Sequence, residues 1–195
     1  MTPGKPLSFD RAEVLGKAMD LFWTNGYEAT GVAELLEGMG IQRQSFYNTF
    51  GSKEQVFQEA VETYAAHMLE QVRAILDAPG NPIDNFHALF AFWEKMSESR
   101  PCCGCLIGNS MAEFGGSDEQ KAAFIAGHLR KMEDLFHRTF QRAVDEGYLP
   151  ADRDPRALAR TLLATTQGLA LLSKTGMEPE ALHQTVETVK DLLFT

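Results

Sequence analysis

An all-α fold of nine helices is what the sequence predicts, on three observations. Apolar residues recur at helical period along nearly the whole chain. Clusters of glycine and proline cut that pattern into nine segments, several of which open on a capping residue. No stretch shows the strict alternation of a half-buried strand. Roughly three quarters of the chain would then be helical, far above the usual third.

Each segment carries its own signals. The first runs from about 10 to 25: Asp10 can cap it with Glu13 three residues on, and Phe9 and Val14 flank that box as a hydrophobic staple would. Val14, Leu15, Ala18, Met19 and Phe22 form its apolar face, and Asn25-Gly26 ends it. Thr30 is expected to cap a short second helix with Val32, Leu35, Leu36 and Met39 on one side, stopped by Gly38-Met39-Gly40. A third short helix spans Gln42 to about Asn48, followed by Phe50-Gly51. Ser52 caps a long fourth helix reaching about Asp77, which at 1.5 Å per residue spans roughly 40 Å and can link two parts of a molecule. Ala78-Pro-Gly-Asn-Pro82 breaks the pattern; the fifth helix is Pro82 to Ser99, and Arg100-Pro101 breaks again. The sixth is Cys105 to Phe114. Ser117 with Gln120 makes the box that opens a long seventh helix to Glu146. Asp154 before Pro155 opens an eighth to about Lys174, and Pro179 sits in the first turn of a ninth that ends near Phe194.

Composition narrows the class further. The chain has 195 residues, 44% hydrophobic and 23% charged, which suits one domain or two small ones and argues against intrinsic disorder. The longest unbroken apolar run, Ala88 to Trp93, is too short to cross a membrane, and the first residues lack a signal-peptide core, so a cytoplasmic protein is expected. Cys102, Cys103 and Cys105 stand too close together for a spaced disulfide framework. A net charge of −9 argues against nucleic acid. Its distribution weakens that argument: residues 1–53 carry net −1 and residues 54–195 net −8.

Two short helices around a glycine-containing turn, packed on a longer one, describe a helix-turn-helix unit. Ile41, Phe46 and Phe50 would anchor the third helix, leaving Gln42, Arg43, Gln44, Ser45, Tyr47, Asn48 and Thr49 polar or amphipathic. From Ile41 to Lys53 there is no Asp or Glu. Arg43 can take guanine O6 and N7 together, and Gln44 can pair with adenine N6 and N7. Ser45, Tyr47 and Lys53 suit phosphate oxygens, and Lys53 adds the N–H groups at the start of the fourth helix. A helical hairpin with a solvated polar face reads the same way, so the pattern alone leaves both open.

The stretch Phe9 to Phe57 resembles the DNA-binding domain of the tetracycline-repressor (TetR) family. The matching elements are Ala18, Leu21-Phe22, Gly26-Tyr27, Thr30, Val32, Leu35, Gly40-Ile41, Phe46-Tyr47, Phe50 and Ser52-Lys53-Glu54. The remaining helix count and lengths suit the family's nine-helix plan. The resemblance implies a DNA-binding domain over 1–53 and an effector-binding and dimerisation domain over 54–195. It implies a homodimeric repressor of a double-stranded palindromic operator, released by a small-molecule effector. Carried over by position, Thr30, Gln42, Arg43, Gln44, Ser45, Tyr47, Asn48 and Lys53 fall where the family contacts DNA. Three residues depart from the pattern: Gln42 stands where Ser or Thr is commoner, Gln44 where a small residue is usual, and Gly31 where Ser or Thr is frequent.

In the body, large apolar groups crowd helices five to seven, and each fits plain core as well as a cavity wall. The resemblance implies an effector cavity there, for which Phe90, Trp93, Met96, Met111, Phe114, Phe124 and His128 are the candidates. Such a lining suits a hydrophobic or aromatic effector. Gly104-Cys105-Leu106-Ile107 resembles a segment common in one branch of the family at the start of helix six. Cys102, Cys103 and Cys105 fit an incidental role, a sensor of oxidants or electrophiles, or, less well, a metal site completed elsewhere. Small and apolar residues at helical spacing on the last two helices (Leu158, Thr161, Leu162, Ala164, Gly168, Val186, Val189) suit either burial within one chain or a dimer interface, and the resemblance implies the second. A small thiol-dependent enzyme is the alternative from another class. It lacks a βαβ context, a phosphate loop, an HExxH motif or a Gly-x-Ser-x-Gly turn. The expectation is therefore a non-enzymatic regulator with no cofactor and no resident metal.

Overall fold

The structure, a computed structural model, describes residues 9–100 and 103–194. Among these it contains nine α-helices and no strand: α1 (Arg11–Asn25), α2 (Val32–Met39), α3 (Arg43–Phe50), α4 (Lys53–Leu76), α5 (Pro82–Ser99), α6 (Leu106–Phe114), α7 (Glu119–Asp145), α8 (Pro155–Ser173) and α9 (Pro179–Phe194). All nine expected segments form.

Most helix starts follow their capping chemistry. Asp10 accepts from the N–H groups of Ala12 and Glu13, Asn81 from that of Ile83, and Asp154 from those of Arg156 and Ala157. Proline fills the first position of α5 and α8, where no backbone donor is missed. Ser52 Oγ accepts from the Gln55 N–H at 3.2 Å. Glu13 pairs with Lys17 at 2.7 Å.

Two expected caps are corrected. Gly31, not Thr30, occupies the N-cap of α2, with no side-chain cap bond. Thr30 is fully buried, and its hydroxyl donates to the Gly26 carbonyl at 2.6 Å, joining the end of α1 to the start of α2. A buried hydroxyl must find a partner, and the turn puts that carbonyl within reach. Asp118 rather than Ser117 caps α7, accepting from the Lys121 N–H at 3.0 Å, while the Ser117 hydroxyl donates back to the Glu113 carbonyl. A carboxylate complements the positive end of the helix better than a hydroxyl does.

The chain divides into two compact units, Met1–Tyr64 and Ala65–Thr195. The boundary expected at 53/54 falls in the first turn of α4, whereas the first unit runs half a helix further. Val56, Phe57, Ala60, Val61 and Tyr64 of α4 are all buried within that unit. Phe57 meets Phe22 edge-on at 5.3 Å between ring centroids, and Tyr64 meets Trp23 at 4.9 Å. Arg11 chelates Glu59 with both terminal nitrogens and lies 4.9 Å above the Phe50 ring, so α1, α3 and α4 are tied at one point.

The core of the second unit is built on stacked Phe86 and Phe140, 4.2 Å apart, with Trp93 edge-on to Phe90 and Phe136. Leu89, Leu135, Ala159, Leu162, Val186, Val189 and Leu193 pack into the same cluster. Asn85 is buried and donates to the carbonyls of Leu76 and Ala78, which the end of α4 leaves without helical partners. Arg156 bridges α8 to Glu133 and Asp134 of α7 at 3.2 and 2.7 Å. His183 of α9 pairs with Glu94 of α5 at 2.8 Å, and that bond raises the histidine pKa above its ordinary value.

Phe136 is fully buried in this cluster, so Phe136→Ala is expected to destabilise the chain by about 3–5 kcal/mol. Urea denaturation of the variant against the wild type measures it; a loss under about 1 kcal/mol would show that the cluster does not carry the unit.

Candidate nucleic-acid interface and effector groove

The turn between α2 and α3 is built on Gly40, which closes α2 in the left-handed conformation at φ 69°. Ile41 N–H then donates to the Leu36 carbonyl at 3.2 Å and Gly40 N–H to those of Leu36 and Glu37, so the turn satisfies the last carbonyls of α2. Beyond it, α3 buries Phe46 and Phe50, while Gln42, Arg43, Gln44, Tyr47 and Asn48 are exposed. Tyr47 is 41% exposed and stands edge-on to Phe46, which holds its ring upright. Gln44 Nε2 donates to Asn48 Oδ1 at 2.9 Å. Gln42 occupies the N-cap of α3 without a side-chain cap bond.

Five of the eight sequence candidates for DNA contact thus stand on one solvent-facing surface. Ser45 is half-buried on α3. Lys53 is half-buried at the start of α4, with its Nζ 4.1 Å from the Tyr27 ring centroid, so the ammonium is placed by a cation–π contact. Thr30 has no exposed surface and does not belong to this face.

In the second unit, a cavity of about 330 Å³ lies among α6, α7 and α8. Its walls include Cys105, Asn109, Met111, Leu129, Gln167 and Leu171. Of the seven residues that the sequence suggested for a cavity, this one includes Met111. Phe90 and Phe114 are buried side chains, 1% and 2% exposed. Trp93, Met96, Phe124 and His128 are half-buried, with Trp93 against the core and Phe124 edge-on to His128 at 4.9 Å. Sequence reasoning missed the α8 wall (Gln167, Gly168, Ala170 and Leu171). A signal was present in Gly104 and Gly108, one before α6 and one in its first turn. A Cβ on Gly104 would sit 2.8 Å from the Ala170 carbonyl, and one on Gly108 would collide with Gln167 Oε1. Gly104 lets the segment that enters α6 approach the α8 backbone closely.

Cys105 is the N-cap residue of α6 and half-buried. Cys103 is also half-buried, and its carbonyl accepts from Asn109 Nδ2 at 2.9 Å. Cys102 lies outside the described residues. Among the described residues, no group of three or more His, Cys, Asp or Glu side chains could hold a metal ion, and no helix is long and apolar enough to cross a membrane.

The seven residues suggested for a dimer interface separate into two sets. Leu162, Val186 and Val189 are buried inside their own chain and Leu158 is half-buried against the same core. Thr161, Ala164 and Gly168 are exposed on α8. Leu171 and Leu172 of α8 and Leu192 of α9, 56%, 48% and 71% exposed, are large apolar groups left in solvent.

A helix-turn-helix whose second helix offers an acid-free polar face, carried by an otherwise helical chain, suits a DNA-binding transcriptional regulator. Known proteins agree. Residues 14–60 match the family described as bacterial regulatory proteins, tetR family, and residues 82–189 match the tetracyclin repressor-like C-terminal domain. The chain belongs to the TetR family. It is 31% identical over 192 residues to the uncharacterized HTH-type transcriptional regulator YezE of Bacillus subtilis, covering 97% of this chain and 99% of that one. It is 29% identical to the HTH-type transcriptional repressor ComR of Escherichia coli, covering 95% of this chain and 89% of that one. Among solved structures, a cysteine mutant of the TetR family regulator CifR, complexed with 26 bp double-strand operator DNA, superposes with a TM-score of 0.86 at 30% identity, covering 96% and 98% of the two chains.

Gly104 has φ +65° as well as the close Ala170 carbonyl, so Gly104→Ala is expected to cost about 1–3 kcal/mol. Gly116→Ala, where nothing lies within 4 Å, should be close to neutral. Thermal unfolding of both variants checks the contrast, and equal melting temperatures would remove the close approach from the account of the groove.

Proposed function

We propose that the chain is a repressor that binds a palindromic operator as a homodimer and leaves it when a small hydrophobic or aromatic effector occupies the second unit. The observation that carries the reading is the exposed face of α3. Arg43, Gln44, Tyr47 and Asn48 stand together on a helix fixed from behind by Phe46 and Phe50. Arg43 and Gln44 read base edges, and Tyr47 and Lys53 hold phosphates. That the similar CifR was solved with operator DNA supports DNA binding as the role of this chain. A head with net −1 charge gives little nonspecific attraction, so affinity rests on these placed contacts.

A two-fold dimer through α8 and α9 would cover Leu171, Leu172 and Leu192 and use the small residues Thr161, Ala164 and Gly168 for close approach. Two heads related by that axis ask for a palindromic site. The apolar cavity beside Met111 and Leu129 suits an uncharged effector. An effector shifts the regulator only by its difference in affinity between the DNA-competent and DNA-incompetent states. Helix α4 belongs to both units and is the route by which that difference reaches the head.

Thiol chemistry is a second route to release, favoured by one observation: Cys105 stands at the N-terminus of α6 and lines the cavity. An adduct on Cys105 would occupy the same space as an effector.

Selection of bound DNA from a random pool should enrich a palindrome. On that sequence Arg43→Ala should weaken binding by about 1–3 kcal/mol and relax preference at one guanine per half-site. Failure to enrich any palindrome would overturn the reading. Alkylation of the purified protein should lower its operator affinity; full modification with unchanged affinity would remove the thiol route and leave the effector route standing.

A further inference from the structure

Gln44 and Asn48 lie one helical turn apart on the exposed face of α3, and Gln44 Nε2 donates to Asn48 Oδ1 at 2.9 Å. Pairs at this spacing face one another on a helix, and amide pairs of this kind are stabilising. The bond uses one of the two hydrogens on Nε2. Made through the hydrogen trans to Oε1, it leaves the cis hydrogen and Oε1 side by side in the amide plane. Adenine presents an acceptor at N7 and a donor at N6 on its major-groove edge, which this remaining pair matches. Guanine presents two acceptors, N7 and O6, so the same amide would set Oε1 against O6. An unrestrained glutamine can turn its amide over and loses considerable rotamer freedom when it settles on a base. Asn48 removes part of that freedom before DNA arrives. Gln44 stands where the family usually has a small residue, so the pair belongs to this chain's own reading of its operator.

Resting on the reading of α3 as the base-contacting helix, we propose that Asn48 is a positioning residue that fixes the Gln44 amide for adenine and against guanine. It acts through Gln44, and its effect is on which base is preferred at one position.

The test compares wild type, Q44A, N48A and N48D by selection from a random DNA pool, followed by competition with single-base variants of the enriched site. Q44A should abolish an adenine preference at one position per half-site and so mark the base that Gln44 reads. N48A should lower the adenine-to-guanine ratio at that same position about twofold, the size of an exposed amide pair on a helix. The change in base preference should fall on that position. Aspartate at 48 only accepts, so it holds Nε2 as asparagine does; N48D should keep the ratio while weakening binding to every sequence by charge repulsion. The proposal is overturned if N48A leaves the ratio untouched, changes preference at a different base pair, or loses the ratio equally with N48D. A wild-type protein that enriches no sequence overturns the underlying reading of α3. One that enriches a palindrome while N48A behaves as wild type overturns the positioning role alone.

Discussion

Phe46 and Phe50 sit one turn apart on α3 and both are buried, and everything that α3 can offer to another molecule follows from that constraint. With 3.6 residues per turn, fixing two aromatic rings inward fixes the opposite face outward. Arg43, Gln44, Tyr47 and Asn48 therefore stand in solvent whatever they bind. The constraint extends beyond α3. Phe50 carries the Arg11 guanidinium on its ring, and Arg11 in turn chelates Glu59 of α4. The pairing of Phe22 with Phe57 closes the same small core. A three-helix head of this size is stable because the first half of α4 completes its core, which is why the compact unit runs to Tyr64.

The second unit solves a different problem. Its aromatic residues are mostly used for packing: Phe86, Phe136 and Phe140 are fully buried and Phe90 nearly so. A cavity is left beside α8, with Gly108, Met111 and Leu129 among its walls. The same helix carries exposed Leu171 and Leu172. Cavity wall and apolar surface thus share one element.

Elements were legible in the sequence because their signals are local. Caps at Asp10, Asn81 and Asp154, prolines at the first helical position and Gly40 in the turn each act within a few residues. The two failed caps show the limit. Thr30 has the chemistry of a cap, but its burial turns the hydroxyl to the Gly26 carbonyl, and burial is a property of the packed head. The same limit governs the site. The face of α3 was readable because period and polarity define it. The cavity was not, since an aromatic residue on a helix looks the same whether it lines a space or fills one. Phe90 and Phe114 filled one.

By itself the sequence determined the nine helices, the helix-turn-helix, the family and the acid-free stretch from Ile41 to Lys53, all of which depend on spacing along the chain. Tertiary structure alone decided that Thr30 lies inside the head and that Leu162, Val186 and Val189 belong to the core of one chain. It also placed the cavity on the α8 side of α6. Those outcomes depend on which surfaces meet across distant parts of the chain, and close packing leaves space only where the facing side chains fail to fill it.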